Sequence, residues 1–222
     1  MRAVIVANGS LSHPALDRAR VNPADWILAA DGGLHNCGLL GLTPAVIIGD
    51  LDSVSASELP RLQSIGTTLV QHPERKDETD LELALAFAVA HGAQEVLVLG
   101  ALGDRWDQTL ANALLLASPT LAAVPASLAD GLQLVTLARP GAPLTLHGRP
   151  GDRLSLLPLA GDAGGVTTDG LEYQLKGETL RFTATRGVSN TFLGATATVR
   201  LTAGLLLVVH HQSAVSPEED NR

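Results

Sequence analysis

The chain has 222 residues, enough for one large domain or two small ones and for a core that needs no staples. Hydrophobic residues make up 45% and charged residues 17%, which excludes disorder as the main state, and the single cysteine, Cys37, excludes a disulfide framework and a cysteine-built zinc site. A net charge of −8, from 15 basic and 23 acidic residues, argues against a general nucleic-acid or anionic-membrane binder.

The first apolar run, Ala3–Ala7, is too short for the central region of a signal peptide and ends in Asn8-Gly9. It reads as a strand. Further buried strands are expected at Trp26–Ala30, ending in Asp31-Gly32-Gly33, and at Ala45–Ile48, ending in Gly49-Asp50. Thr68–Val70 and Val96–Leu99, the latter ending in Gly100, continue the series. Helices are expected over Ser55–Ser64, over Glu78–His91, where Leu81, Leu85, Ala88 and Val89 share a face, and over Asp107–Ala117. Gln108–Ala129 carries no ionisable residue, yet Asn112, Ser118, Pro119 and Pro125 make it a helix, a turn and a strand rather than a membrane span. With one cysteine, expected as an inert buried thiol, a soluble cytoplasmic protein is predicted. The strand–helix alternation predicts an N-terminal doubly wound, mostly parallel α/β domain over residues 1–140.

Breaker clusters at Arg139-Pro140-Gly141 and Gly148-Arg149-Pro150-Gly151 mark a change of pattern. Short alternating segments follow at Arg153–Leu157, Thr179–Thr183, Ala197–Leu201 and Leu205–Val209. The last two, joined by Thr202-Ala203-Gly204, read as a hairpin. Residues 141–212 are therefore predicted to form an antiparallel β-sandwich, and residues 213–222 an acidic, frayed tail. His210-His211 reads as two solvated histidines at a strand end, and Trp26 and Trp106 as core residues.

The acids cluster at predicted strand ends. Asp31 precedes two glycines, Asp50 and Asp52 flank Leu51, Asp77 and Asp80 share a face at the start of the clearest helix, and Asp104 and Asp107 follow the fifth strand. Eight of the 23 acids, counting Glu78, lie in these loops. Helix capping accounts for any one pair. Two pairs on successive loops point to a divalent cation, and oxygen donors suit Mg²⁺. Neither a P-loop nor a Gly-x-Gly-x-x-Gly follows the first strand. Gly100–Gly103 and Arg105, at a helix start, suit either a phosphate or a plain turn.

In order along the chain, Asp31-Gly32-Gly33, Gly49-Asp50-Leu51-Asp52-Ser53, Lys76-Asp77-x-Thr79-Asp80-x-Glu82, Gly100-x-x-Gly103-x-Arg105-x-Asp107 with Leu110-Ala111-Asn112, and Gly187-Val188-Ser189-Asn190 resemble the motifs of the thiamine pyrophosphokinases. The chain departs from that pattern at Asp104, where glycine is usual, at Gln108, where histidine is usual, and at Thr191, where an acid is common. The resemblance implies transfer of the pyrophosphoryl group of ATP to the hydroxyl of thiamine, with AMP leaving. It implies Mg²⁺ held by Asp50, Asp52, Asp77 and Asp80, with Asp52, Asp77, Asp80 and Asp107 catalytic. It implies nucleotide contacts from Asp31, Gly32, Gly33, Ser53, Thr79, Gly100, Gly103, Arg105 and Asn112, thiamine contacts from Ser189 and Asn190, and a homodimer with shared active sites. For stacking on thiamine the β domain offers Tyr173, Phe182 and Phe192. The alternatives are a pyrophosphokinase for another alcohol such as a hydroxymethylpterin, a metal-dependent phosphohydrolase, and a non-catalytic nucleotide- or metal-sensing module.

Overall fold

A computed structural model describes residues 1–213 except Ala56 and Asp104. The Asp104 departure and tail residues 214–222 lie outside the described residues. The chain forms two compact units, dividing after Gly131.

In the first unit, strands β1 (Arg2–Val6), β2 (Trp26–Ala30), β3 (Val46–Gly49), β4 (Thr68–Gln71), β5 (Glu95–Leu99) and β6 (Ala126–Asp130) alternate with helices α1 (Pro14–Ala19), α2 (Gly33–Leu39), α3 (Leu59–Ser64), α4 (Asp80–Ala90) and α5 (Trp106–Leu115). A short 3₁₀ turn, Pro119–Leu121, precedes β6. The strands pair in parallel in the order β6-β5-β1-β2-β3-β4. Their sequences are apolar runs because both faces are covered: Val4, Ile5, Leu28, Ile47, Ile48, Val98 and Leu99 are fully buried. The order reverses direction between β1 and β5, so the crevice at their carboxyl ends is the topological switch point, where such sheets bind ligands.

The helices follow local chemistry. Thr79 caps α4, its Oγ1 accepting the Glu82 amide at 3.2 Å. Helix α3 is shorter than the expected 55–64, because the Ser55 hydroxyl and amide both bond the Glu58 carboxylate (2.6 and 3.3 Å) and hold that stretch in a turn. Helix α2, unforeseen in a segment with Gly33, Asn36 and Gly38, forms because Asn36 and Cys37 are buried against the sheet. Cys37 is indeed an inert thiol, pushed up to about 12 by burial. Trp106, read as core, is 80% exposed, whereas Trp26 packs against Phe87 with ring centroids 6.0 Å apart. Among the described residues no helix is long and apolar enough to cross a membrane.

The second unit contains β7 (Gln133–Ala138), β8 (Leu144–His147), β9 (Arg153–Pro158), β10 (Ala163–Asp169), β11 (Lys176–Leu180), β12 (Asn190–Thr191), β13 (Thr196–Arg200) and β14 (Leu206–His211). One antiparallel sheet runs β12-β9-β14-β7, the other β11-β10-β13-β8. Their inner faces share one core, including Leu154, Leu156, Val166, Phe192, Val199 and Val208, which makes the unit the expected antiparallel sandwich. The division falls at 131/132 rather than 140/141, since 133–138 pairs with 206–211. The expected hairpin of 197–201 with 205–209 does not form. These two strands belong to opposite sheets, and the chain crosses between them at 202–204, where the Thr202 and Ala203 amides bond the Gly164 carbonyl. Both strands bury alternate residues in the same core, so alternation alone cannot tell a hairpin from a crossing.

His210 is not solvated. It is 1% exposed, stacks on Phe192 (centroids 4.8 Å apart) and donates from Nε2 to Asp152 Oδ2 at 2.9 Å.

Candidate active site

Parallel pairing of β2 and β3 places their carboxyl ends side by side, and the Asp31 amide continues the ladder to the Ile48 carbonyl at 2.8 Å. Asp31 thereby meets the loop that carries Asp50 and Asp52, and ligand atoms of the three carboxylates lie within 4.8 Å of one another. Gly49 makes this possible, since a Cβ there would stand 2.8 Å from Asp31 Cβ. The Ser53 hydroxyl donates to Asp31 Oδ1 at 2.9 Å. Repulsion is the cost of this convergence: Asp50 first, then Asp31, push the Asp52 carboxyl above its ordinary range. An all-oxygen donor set with like charges this close fits a hard divalent cation such as Mg²⁺.

Asp50 and Asp52 thus converge as expected, but their third partner is Asp31, which the motif reading gave to the nucleotide. Asp77 is exposed and, among the described residues, outside the cluster. Asp80, on the first turn of α4, is ion-paired with Lys76, Nζ to Oδ1 at 2.8 Å.

The crevice itself is a cleft of about 540 Å³, inside the usual range for small-molecule sites. Asp31, Thr79, Asp80, Gly100, Gly103, Arg105, Gln108 and Asn112 line it, together with Asn8, Gly9 and Ser10. Beyond the strands the loops after β1 and β5 stay in register, Ala7 N to Leu99 O at 2.8 Å and Gly9 N to Gly100 O at 2.7 Å. Asn112 Nδ2 donates to Ala101 O at 2.7 Å, and Thr109 Oγ1 receives the Gly103 amide at 3.1 Å, so α5 shapes the loop that precedes it. Gly32 and Ser53 line a neighbouring recess of about 670 Å³ that also reaches Asn8, His35 and Arg61. Gly33 lines neither space. A Cβ there would collide with the Val6 carbonyl, so this glycine lets α2 start tightly against β1.

Arg105 and Asp107, both exposed, form a two-pronged pair at 2.5 and 3.2 Å. Arg105 holds the Asp107 carboxyl below the usual range, which makes it a poor proton acceptor and a good orienter of the guanidinium.

The motif reading missed Asn8, Gly9, Ser10 and Asn36. Asn36 is 5% exposed, and its Nδ2 donates to Ala7 O at 2.7 Å and Gly9 O at 2.8 Å. Asn8-Gly9 at a strand end was a visible signal; Asn36, mid-helix, carried none. Asn36→Leu strands two carbonyls that lose their donor and should cost about 2–4 kcal/mol in denaturant unfolding.

In the second unit Ser189 is exposed in a left-handed conformation (φ 61°), its amide bonded to Ser155 Oγ at 3.1 Å. Asn190 is buried, its Nδ2 donating to Tyr173 O (2.7 Å) and its Oδ1 accepting the Tyr173 amide (2.9 Å). It therefore braces Tyr173, a residue that is 67% exposed. Phe182 is 49% exposed, while Phe192 is buried under His210.

The crevice and its acids define a class, an α/β protein with an oxygen-donor cluster at the ends of β2 and β3, beside the crevice at the switch point of its sheet. The family model "Thiamin pyrophosphokinase, catalytic domain" matches residues 18–125, and "Thiamin pyrophosphokinase, vitamin B1 binding domain" matches 144–206. The chain belongs to the thiamine pyrophosphokinase family, a family of enzymes. It is 26% identical over 184 residues to the thiamine pyrophosphokinase of Bacillus subtilis, covering 83% of this chain and 86% of that protein. It is 28% identical to thiamine pyrophosphokinase 1 of Oryza sativa subsp. japonica, covering 90% and 83%. The crystal structure of the Bacillus subtilis enzyme shares the fold, with a TM-score of 0.84 at 23% identity over 96% of this chain and 100% of that one. A thiamin pyrophosphokinase family protein from Enterococcus faecalis aligns with a TM-score of 0.80 at 26% identity, over 96% and 100%.

Proposed function

We propose that the enzyme transfers the pyrophosphoryl group of ATP to the hydroxyl of thiamine, giving thiamine diphosphate and AMP by in-line attack on the β-phosphorus. The observation that carries this is the acidic trio Asp31, Asp50 and Asp52 beside a cleft edged by Arg105, in a chain whose relatives are named thiamine pyrophosphokinases. Transfer of this kind depends on positioning and on charge neutralisation. The trio is the proposed seat of Mg²⁺, which when bound supplies the charge neutralisation and Lewis acidity for the phosphates. Arg105, aimed by Asp107, contacts phosphate oxygens, and the start of α5 offers amides to the same group. Thr79 and Ser53 stand at the edges of the spaces beside the trio. On the acceptor side, Asn190 holds Tyr173 as the aromatic that stacks on thiamine, with Ser189 beside it. A homodimer with shared active sites is part of this reading, supported by the exposed stripe Trp106, Leu110 and Leu114 on α5. So is a cytoplasmic location, supported by the single buried thiol.

Incubation with ATP, Mg²⁺ and thiamine should release AMP only when thiamine is present. Formation of ADP or phosphate, or turnover without thiamine, overturns the reading.

A further inference from the structure

The acidic cluster contains a cation of its own. Lys76, in the loop before α4, has a side chain only 11% exposed, and its ammonium lies 2.8 Å from Asp80 Oδ1. That oxygen is closed off from solvent and stands 3.2 Å from where a Cβ on Gly49 would be. The pair is therefore packed against the loop that leads to Asp50 and Asp52, and the charges of Asp50 and Asp31 also act on Lys76. Four carboxylates thus gather at the ends of β2 and β3 and the start of α4. Three of them converge on one point, and the fourth is neutralised from within.

An ammonium at this distance competes with a divalent cation for the same carboxylate. Phosphate oxygens arriving with a nucleotide offer the ammonium another partner, after which Asp80 is free to turn to the cation. We propose that Lys76 is a positioning residue that withholds Asp80 from the cation site, so that tight cation loading waits for the nucleotide. This rests on the reading of Asp31, Asp50 and Asp52 as the cation's seat.

The test is Mn²⁺ binding to the full chain without nucleotide, followed by electron paramagnetic resonance. Lys76→Met should bind Mn²⁺ about tenfold more tightly than the natural protein. Lys76→Arg should restore the weak binding, and Lys76→Met combined with Asp80→Asn should return to it, because Asp80 is the ligand released. A folding defect cannot produce this gain of affinity. Unchanged or weaker binding in Lys76→Met, or equal tightening in the double variant, overturns the inference. If Asp52→Ala binds Mn²⁺ as the natural protein does, the cation reading itself fails and the inference with it.

Discussion

Replacing Asp52 by alanine should lower thiamine-dependent AMP release by about three orders of magnitude, the rate equivalent of several kcal/mol of lost charge stabilisation. The same change should leave the melting temperature unchanged or slightly raised. Asp52 is exposed, and its neighbours Asp50 and Asp31 push its carboxyl up, so truncation removes repulsion rather than a supporting contact. The two readouts must diverge. A rate within tenfold of the natural enzyme places the cation elsewhere, and a large fall in melting temperature shows a structural acid. Asp107→Asn offers a contrast. It keeps an acceptor for Arg105 but weakens the pair, so it should raise the KM for ATP more than it lowers kcat.

The largest loss of stability is expected from Asp152→Ala, at about 3–5 kcal/mol, measured by urea unfolding followed by circular dichroism. Asp152 Oδ2 accepts from His210 Nε2 and the Arg149 amide, each at 2.9 Å, and Oδ1 accepts the Ser213 amide at 2.7 Å. One buried carboxylate thus ties together the turn before β9, the end of β14 and the segment after it. Burial pushes this carboxyl up, but the amides of Ser213 and Arg149 and the His210 ring together outweigh it and hold it below the ordinary carboxylate range. A carboxyl depressed in the folded state stabilises fully above its unfolded pKa of about 4, and that contribution is lost as the pH falls through the lower folded value. Acid unfolding of the natural protein should therefore steepen below about pH 4, and Asp152→Asn should flatten that limb. An unchanged acid limb in Asp152→Asn would count against the network as the source of this stability.

Much of the architecture was legible along the chain because parallel strands buried on both faces leave unbroken apolar runs. Trp26–Ala30 coincides with the predicted strand, β1 and β3 are shifted by one residue, and β4 and β5 each gain one residue at an end. What was illegible depended on competition between local bonds, as at Ser55 and Glu58, or on packing that overrides propensity, as in α2. The second unit was read correctly in kind and misread in pairing, because β13 and β14 bury the same alternation against one core from opposite sheets. His210 looked like half of a solvated pair. Its burial rests on partners 18 and 58 residues away, Phe192 and Asp152.

The site divides along the same line. The amino-acid sequence by itself determined the family and the chemical groups on offer: acids after successive strands, a glycine loop before an arginine, and five ordered motifs. Which acids converge was decided by the tertiary structure alone. Asp31 lies 19 residues before Asp50, a separation in which spacing carries no information, and only the parallel pairing of β2 with β3 sets the two side by side. Asp77 and Asp80, by contrast, are close in sequence and part company in space. A helix start turns one toward Lys76 and Gly49 and leaves the other in water. Residue types set which interactions a side chain can make, and the register of neighbouring strands sets which of them it meets.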